Sequence, residues 1–419
     1  MLLGFQQLPF PVRALIVLLT AAVLARFINW AIYTWAYYRR SLGPWSPPAK
    51  ADSRTWFDHL PVLGWYALRR EEKQHGKAFW IRPLLIELIF PLFVTWYYVR
   101  YTNGELPLGT AAKALTPAAL TALHWQFLGH LILLALMPIA TFIDFDEQSI
   151  PDYVTVPGTL LGLLGCAFAT AWLPMANATG QELLFSFPFD WPLAFSGSTG
   201  LAVGISIALI WGFALLDRRW ISRRGFGKAI QYFFAKLIRN RFQFASVVVA
   251  TGLMLILIGY SYSYQNGTRW PYLLSSLLGL AFAGGITWGV RITAYIGLRM
   301  EALGFGDVTL MAMIGTYLGW HPSLLVFFIA PFVAILIVVV RAIITGQTAT
   351  PYGPYLCAAV VILMVYWVKI WPAAAPSFIL GELVLWIVVG CIVLMGGMLW
   401  SWRLVKEAYL AKLEKQDSK

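Results

Sequence analysis

Residues 119–143, ALTALHWQFLGHLILLALMPIATFI, run for 25 positions without an Asp, Glu, Lys or Arg, and the next residue is Asp144. A stretch of that length and polarity crosses the hydrocarbon core of a bilayer as an α-helix. It has company. Apolar runs recur near 14–38, 83–101, 153–173, 195–216, 243–263, 272–298, 307–320, 322–344, 355–371 and 379–402, giving about eleven spans with the first. The run at 307–320 is short and reads as tilted or partly inserted. With 59% hydrophobic and 12% charged residues and a mean hydropathy of +0.70, the chain is expected to be an all-α polytopic membrane protein.

A formal charge of +12 invites a nucleic-acid reading until its distribution is followed. Segment 39–82 holds nine Lys and Arg against four acids, 217–242 holds eight against one, and the tail from Arg403 is basic. The loops at 102–118, 174–194 and 264–271 are poor in positive charge. Positive loops stay in the cytoplasm, and one orientation satisfies all of these segments: N-terminus outside, C-terminus cytoplasmic. The charge then belongs to a lipid bilayer and not to nucleic acid. That orientation puts Asp144 and Asp307 at the same cytoplasmic face, although neither acid was used to derive it.

The expected organisation is a first transmembrane helix in 1–38 and a small basic cytosolic module in 39–82. Membrane helices two to four follow in 83–173. An insertion at 174–243 adds one helix and a basic surface segment. Helices six to eleven occupy 244–402, and 403–419 is a basic cytosolic tail. The start, MLLGFQQLPFPVR, shows no small-residue cleavage site and reads as leading into a retained helix. The stretch DRRWISRRGFGKAIQYFFAKLIRNRF (217–242) reads as a basic amphipathic helix on anionic headgroups. Cys166, Cys357 and Cys391 fall inside apolar spans, with no Cys-x-x-Cys pair, and read as packing residues.

Asp307 follows Gly304, Phe305 and Gly306 where another apolar run begins. Acids at a membrane boundary are costly and therefore functional candidates. Two of them close together hold one proton between them, which equips the pair to hydrolyse a peptide bond. The ionised member takes a proton from water, and the protonated member polarises the scissile carbonyl. Gly304 and Gly306, lacking β-carbons, would let a substrate backbone approach; the blander reading makes them a helix break with Asp307 as N-cap. Asp146 and Glu147 read as loop acids and Asp152 as a helix N-cap after Pro151. His124 and His130 read as hydrogen-bonded packing residues, with no metal site expected. Glu87, Arg291 and Glu382 read as structural ion-pair partners. A cation- or proton-coupled transporter is the alternative outside hydrolases, but it calls for acids near the midplane and related halves. No inverted repeat is visible.

The block IDFDEQSIPDYVTVP (143–157), an Asp followed by a hydrophobic residue and then Ile-Pro-Asp, resembles the first catalytic segment of the type IV prepilin leader peptidases. ALGFGDVTLMAMIGTYLGW (302–320) resembles their second, GxGD segment, and TPYGPYLCAA (350–359) their Pro-Phe-Gly-Pro-Tyr segment. RFINWAIY (26–33), HLPVLGWYALRR (59–70) and RPLLIELIF (82–90) resemble the first helix, the cytosolic module and its return into the membrane. The resemblance implies catalytic roles for Asp144 and Asp307. It also implies cleavage of a short basic leader from type IV prepilins or pseudopilins at the cytoplasmic face of the bacterial inner membrane, with pilus or secretion assembly components as partners. Asp146 and Glu147, with Gly304 and Gly306, would then contact substrate. Other GxGD intramembrane proteases are the nearest alternative. Many members also methylate the new terminus with S-adenosylmethionine, but the module here lacks the family's two Cys-x-x-Cys pairs. No zinc is therefore expected, and methyl transfer loses its usual companion feature. Thr309 stands where the family commonly has Lys, and 163 residues separate the two acids, more than is usual.

Overall fold

The computed structural model describes residues 2–47, 54–109, 116–169, 172–175, 182–187, 195, 197–216, 231, 235–236, 239–301, 303–345 and 351–417. Its helices are α1 (Leu2–Gln6), α2 (Phe10–Thr34), α3 (Leu63–Ala67), α4 (Glu72–His75), α5 (Ile81–Thr102), α6 (Pro117–Glu147), α7 (Asp152–Phe168) and α8 (Ser198–Leu215). They continue with α9 (Arg241–Ser263), α10 (Trp270–Leu298), α11 (Phe305–Leu318), α12 (Trp320–Thr345), α13 (Gly353–Val365), α14 (Trp367–Ala374) and α15 (Glu382–Asp417). Eight are long and apolar enough to cross a membrane. A ninth crossing arises if Gly353–Val365 and Trp367–Leu380, bent by 92° at their junction, count as one. Asp152–Phe168 and Phe305–Leu318 are apolar but shorter. Each of the eleven apolar spans expected from sequence contains helix, but not over its full expected range, and eight helices reach full spanning length among the described residues. Most of the basic stretch 217–242 and of the insertion's loops lies outside the described residues.

The run expected as one straight span at 355–371 breaks at Tyr366, whose backbone leaves helical angles. The break turns two tryptophans inward. Trp367 and Trp371 stack with centroids 5.1 Å apart, and Trp367 Nε1 donates to Met175 O at 3.1 Å. The first span also ends earlier than its composition suggests. Helix α2 stops at Thr34, and residues 35–38 form bends whose Tyr37 and Tyr38 N–H groups reach Glu147 at the end of α6.

Helix α11 sits at the centre, buried without interruption from Asp307 to Leu318. Small residues bring its backbone against its neighbours, the packing rule for helices that gain no hydrophobic drive from lipid. A β-carbon on Gly315 would lie 2.2 Å from Gly279 O on α10, and one on Gly279 would lie 2.1 Å from Gly315 O. On the α7 side, Gly158 and Gly162 receive Met313 and Thr316 at similarly short range. Polar groups seal these seams: Ser276 Oγ donates to Thr316 O at 2.7 Å and Tyr317 Oη to Gly158 O at 2.8 Å. The close backbone contact leaves α11 little freedom to slide or rotate, and Asp307 rides on its first turn.

The module at 39–82 contains no cysteine and is braced by charge and aromatic packing. Buried Asp58 accepts from Arg70 Nη2 at 2.7 Å and from Thr55 N at 2.8 Å. Arg54 pairs with Glu71, which His75 also approaches at 3.4 Å. Trp45 and Trp65 meet edge to face. The module is pinned to the membrane helices through Glu87 on α5, expected as an ion-pair member. Its carboxylate instead accepts three hydrogen bonds, from Asn29 Nδ2, Val62 N and Trp65 Nε1 at 3.2, 2.7 and 2.8 Å. Neutral donors suffice to satisfy a buried carboxylate when several converge on it.

Candidate active site

Asp144 lies in the last turn of α6, and Asp307 in the first turn of α11. Each is nearly enclosed, at 4% and 7% exposure respectively. Both lie at the end of the bundle that carries the module and share a neighbour in Ile150, which packs on Gly353 beside Asp144 and on Gly306 next to Asp307, near enough for the charge of one acid to act on the other. Helix α6 ends on Gln148, which adopts a left-handed conformation and donates its N–H to Asp144 O at 2.8 Å. Such a turn closes a helix by satisfying a late carbonyl. The chain then runs through Ile150 and Pro151 into α7. Asp152 is the first residue of α7 and not its N-cap: Pro151 holds that place with extended backbone angles (φ −72°, ψ 143°) and offers no side-chain cap.

Ile150 is the packing centre of the site. A β-carbon on Gly306 would stand 2.9 Å from Ile150 Cβ, and one on Gly353 would stand 2.9 Å from Ile150 Cδ1 and 2.6 Å from Asp144 Oδ2. Three sequence blocks that are far apart in the chain thus close on one side chain. Gly353 N also donates to Asp144 Oδ2 at 3.2 Å. The sequence reading missed Gly353, Ile150 and Arg82. Gly353 stood within a block singled out only as a likeness, and nothing local to it announces contact with an acid 209 residues away.

On the second acid, Asp307 Oδ2 accepts from Gly304 N at 3.1 Å. Gly304, not Asp307, therefore occupies the N-cap place, with Asp307 reaching back from the third position of the helix. Gly304 has φ −69°, an extended conformation open to any residue, so backbone freedom does not explain it. Its α-carbon instead leaves open space beside the carboxyl: an added β-carbon would stop 3.4 Å from Asp307 Oδ2. Gly306, expected to admit substrate, is spent on the contact with Ile150. Among the described residues Asp307 Oδ1 accepts no hydrogen bond. Arg291 holds the preceding loop, donating from Nε to Leu303 O at 3.1 Å and pairing with Glu301 at 3.3 Å.

Asp146 and Glu147 are engaged within the chain. Asp146 receives both Nη atoms of Arg82, at 2.8 and 2.9 Å. Glu147 accepts from the backbone N–H groups of Tyr37 and Tyr38 at 2.9 and 2.8 Å. The structure thus brings Asp144, Asp307, Gly304 and Gly306 together and directs Asp146 and Glu147 to the outer side of the helix end. His124 and His130 are packing residues as read: His124 bonds Leu120 O at 2.7 Å and His130 bonds Tyr97 Oη at 2.8 Å.

The described residues thus form an α-helical bundle with two buried aspartates at one end, one of them in a Gly-x-Gly-Asp turn. Residues 233–339, which include Asp307 but neither Asp144 nor Gly353, match the type IV leader peptidase family, which bears out the family resemblance and, of the sequence blocks, spans the one at 302–320. A prepilin leader peptidase/N-methyltransferase of Xanthomonas campestris pv. campestris is 23% identical over 208 residues, covering 44% of this chain and 66% of that protein. One of Pseudomonas putida is 31% identical over 128 residues, covering 30% of this chain and 36% of its own length. No solved structure matches significantly.

Proposed function

We propose that this protein is a bacterial inner-membrane aspartic endopeptidase. It removes the short basic leader of a type IV prepilin or pseudopilin at the cytoplasmic face, using water activated between Asp144 and Asp307. The observation that carries the reading is the meeting of two buried acids from opposite parts of the chain at one end of the bundle, beside Gly304.

The chemistry follows from the pair. One carboxylate draws a proton from water as the oxygen attacks the scissile carbonyl. The other, protonated, donates to that carbonyl oxygen as it becomes negative. Asp307 Oδ1 is buried and accepts no bond from the described residues, so its lone pairs are uncommitted when water or a substrate carbonyl enters beside it. Asp144 Oδ2 is held by Gly353 N–H, which fixes its direction. The tetrahedral centre then collapses, the amine of the mature chain leaves with a proton, and the dyad regains its single shared proton. Gly304 offers the side from which an extended backbone reaches the acids. A substrate helix held in the bilayer would present its peptide bond at this depth, with its basic leader remaining outside the hydrocarbon.

Co-expression with a type IV prepilin, followed by mass measurement of its N-terminus, tests the reading. Cleavage is expected with the wild type and loss of about 10⁴-fold or more with either Asp144→Asn or Asp307→Asn, since residues acting as a catalytic unit fail together. Normal processing by either variant would exclude the mechanism. The same spectrum reports whether the new terminus gains a methyl group, an activity that the relatives' names carry and that the cleavage mechanism does not require.

A further inference from the structure

Three carboxylates, Asp144, Asp146 and Glu147, crowd the last turn of α6. This is the negative pole of a helix, where acids are disfavoured and exposed carbonyls let the turn fray. Among the described residues the cations that compensate this charge lie on the outer side. The guanidinium of Arg82 meets Asp146 in a two-pronged bond at 2.8 and 2.9 Å, and Arg40 approaches the same carboxylate at 3.6 Å. Arg82 is itself directed, with its charged group 5.6 Å from the Tyr33 ring centre and 5.4 Å from that of Phe142. It also donates to Tyr33 Oη at 3.4 Å. Glu147 is tied to the backbone beyond α2. Asp144, two residues before Asp146, projects to the opposite side, towards Gly353.

We propose that Asp146 and Arg82 are a positioning pair for the first acid, through which the start of α5, directly after the module, sets the direction of the Asp144 carboxyl. The inference rests on the peptidase reading and refines it. Among the described residues Asp146 bonds Arg82 and Arg40 and neither acid. It acts by keeping the final turn of α6 wound and oriented. A two-pronged guanidinium–carboxylate bond fixes angle as well as distance, which a single ammonium does not. A partly exposed pair of this kind contributes little to overall stability. Its effect should therefore appear in turnover, where a displacement of about 1 Å costs about 10²-fold. The rival assignment, in which Asp146 binds the Lys or Arg of the leader, places the effect in substrate affinity.

Steady-state cleavage of a full-length prepilin by the purified full-length protein in liposomes separates the two. Asp146→Asn is expected to lower kcat by about ten- to a hundred-fold with KM nearly unchanged. The loss should be the same for a prepilin whose leader Lys and Arg are replaced by Gln. Arg82→Lys, which keeps the charge and loses the second prong, should fall between wild type and Asp146→Asn. The exchange Arg82→Asp with Asp146→Arg should recover part of the turnover lost in either single change. The thermal midpoint of Asp146→Asn should match that of Glu105→Gln, a control at an exposed ion pair with Arg100. A rise in KM that vanishes with the neutral leader would overturn the proposal in favour of leader binding, and a collapsed thermal midpoint would overturn it in favour of a structural role. If Asp144→Asn is inactive while Asp146→Asn cuts normally, the positioning role fails and the peptidase reading stands. If Asp144→Asn cuts normally, the peptidase reading itself fails.

Discussion

The two acids are held in opposite ways. Asp307 belongs to the positive end of its helix, caps that helix by accepting from Gly304 N–H, and is carried by a segment buried along its whole length. Asp144 belongs to the negative end of a helix that stops almost at once, and its support comes from other elements: Gly353 inside, and Arg82, Arg40 and the 37–38 backbone beyond it. The second acid is fixed by local sequence, the first by tertiary structure. Errors introduced far from Asp144 should therefore reach it, whereas Asp307 should respond mainly to changes in its own turn and in the α10–α11 seam.

The sharpest break in this contrast is at the glycines. Gly353→Ala drives a methyl group to 2.6 Å from Asp144 Oδ2 and also removes the room taken by Ile150. Prepilin cleavage is expected to fall about 10²-fold through displacement of the carboxyl. Gly304→Ala adds its methyl at 3.4 Å from Asp307 Oδ2 on an unstrained backbone. It should lose only a few-fold, chiefly in KM, because ordinary contact narrows access without moving the acid. Equal losses at the two positions would erase the distinction.

A smaller effect on turnover, with a larger one on stability, is expected in the seam. Gly279→Ala and Gly315→Ala each set a methyl against a backbone carbonyl at 2.1–2.2 Å. Overpacking of this kind costs about 1–3 kcal/mol, read as a lowered thermal midpoint in detergent. Activity of the molecules that remain folded should fall less than for Gly353→Ala.

The smallest effect concerns pH and the module. Burial works to raise the Asp58 carboxyl, but its bonds to Arg70 and Thr55 outweigh this and hold it below the usual carboxylate range. A carboxyl depressed by folding contributes stability that is present above its unfolded pKa and lost as pH falls through its folded one. Hydrogen exchange over 54–76, corrected for the intrinsic rate, should therefore accelerate on acidification into the acidic range below ordinary carboxylates. Asp58→Asn should show that looser module already at neutral pH. Unchanged protection in both cases would remove Asp58 as a brace.

Much of the fold was legible because it depends on composition. Runs such as 119–143 can only be helices in lipid, since every backbone N–H and C=O must be paired internally. The acids were legible because charge at the edge of such a run is costly. What escaped was pairing at long range. Asp146 and Glu147 look solvated in a loop-like block, yet they bond partners 64 and about 110 residues away. Glu87 looks like half of an ion pair, but a tryptophan N–H, an asparagine amide and a backbone N–H satisfy it. The bend at Tyr366 is equally invisible in an unbroken apolar run, because inward packing of Trp367 and Trp371 decides it.

Whether Asp144 and Asp307 work as one unit is tested most directly by comparing kcat/KM for prepilin cleavage among Asp144→Asn, Asp307→Asn and the variant carrying both. A shared proton predicts that each single change removes essentially all catalysis and that the second adds nothing to the first. Two partial losses that multiply in the double variant, or substantial activity in either single one, would contradict it.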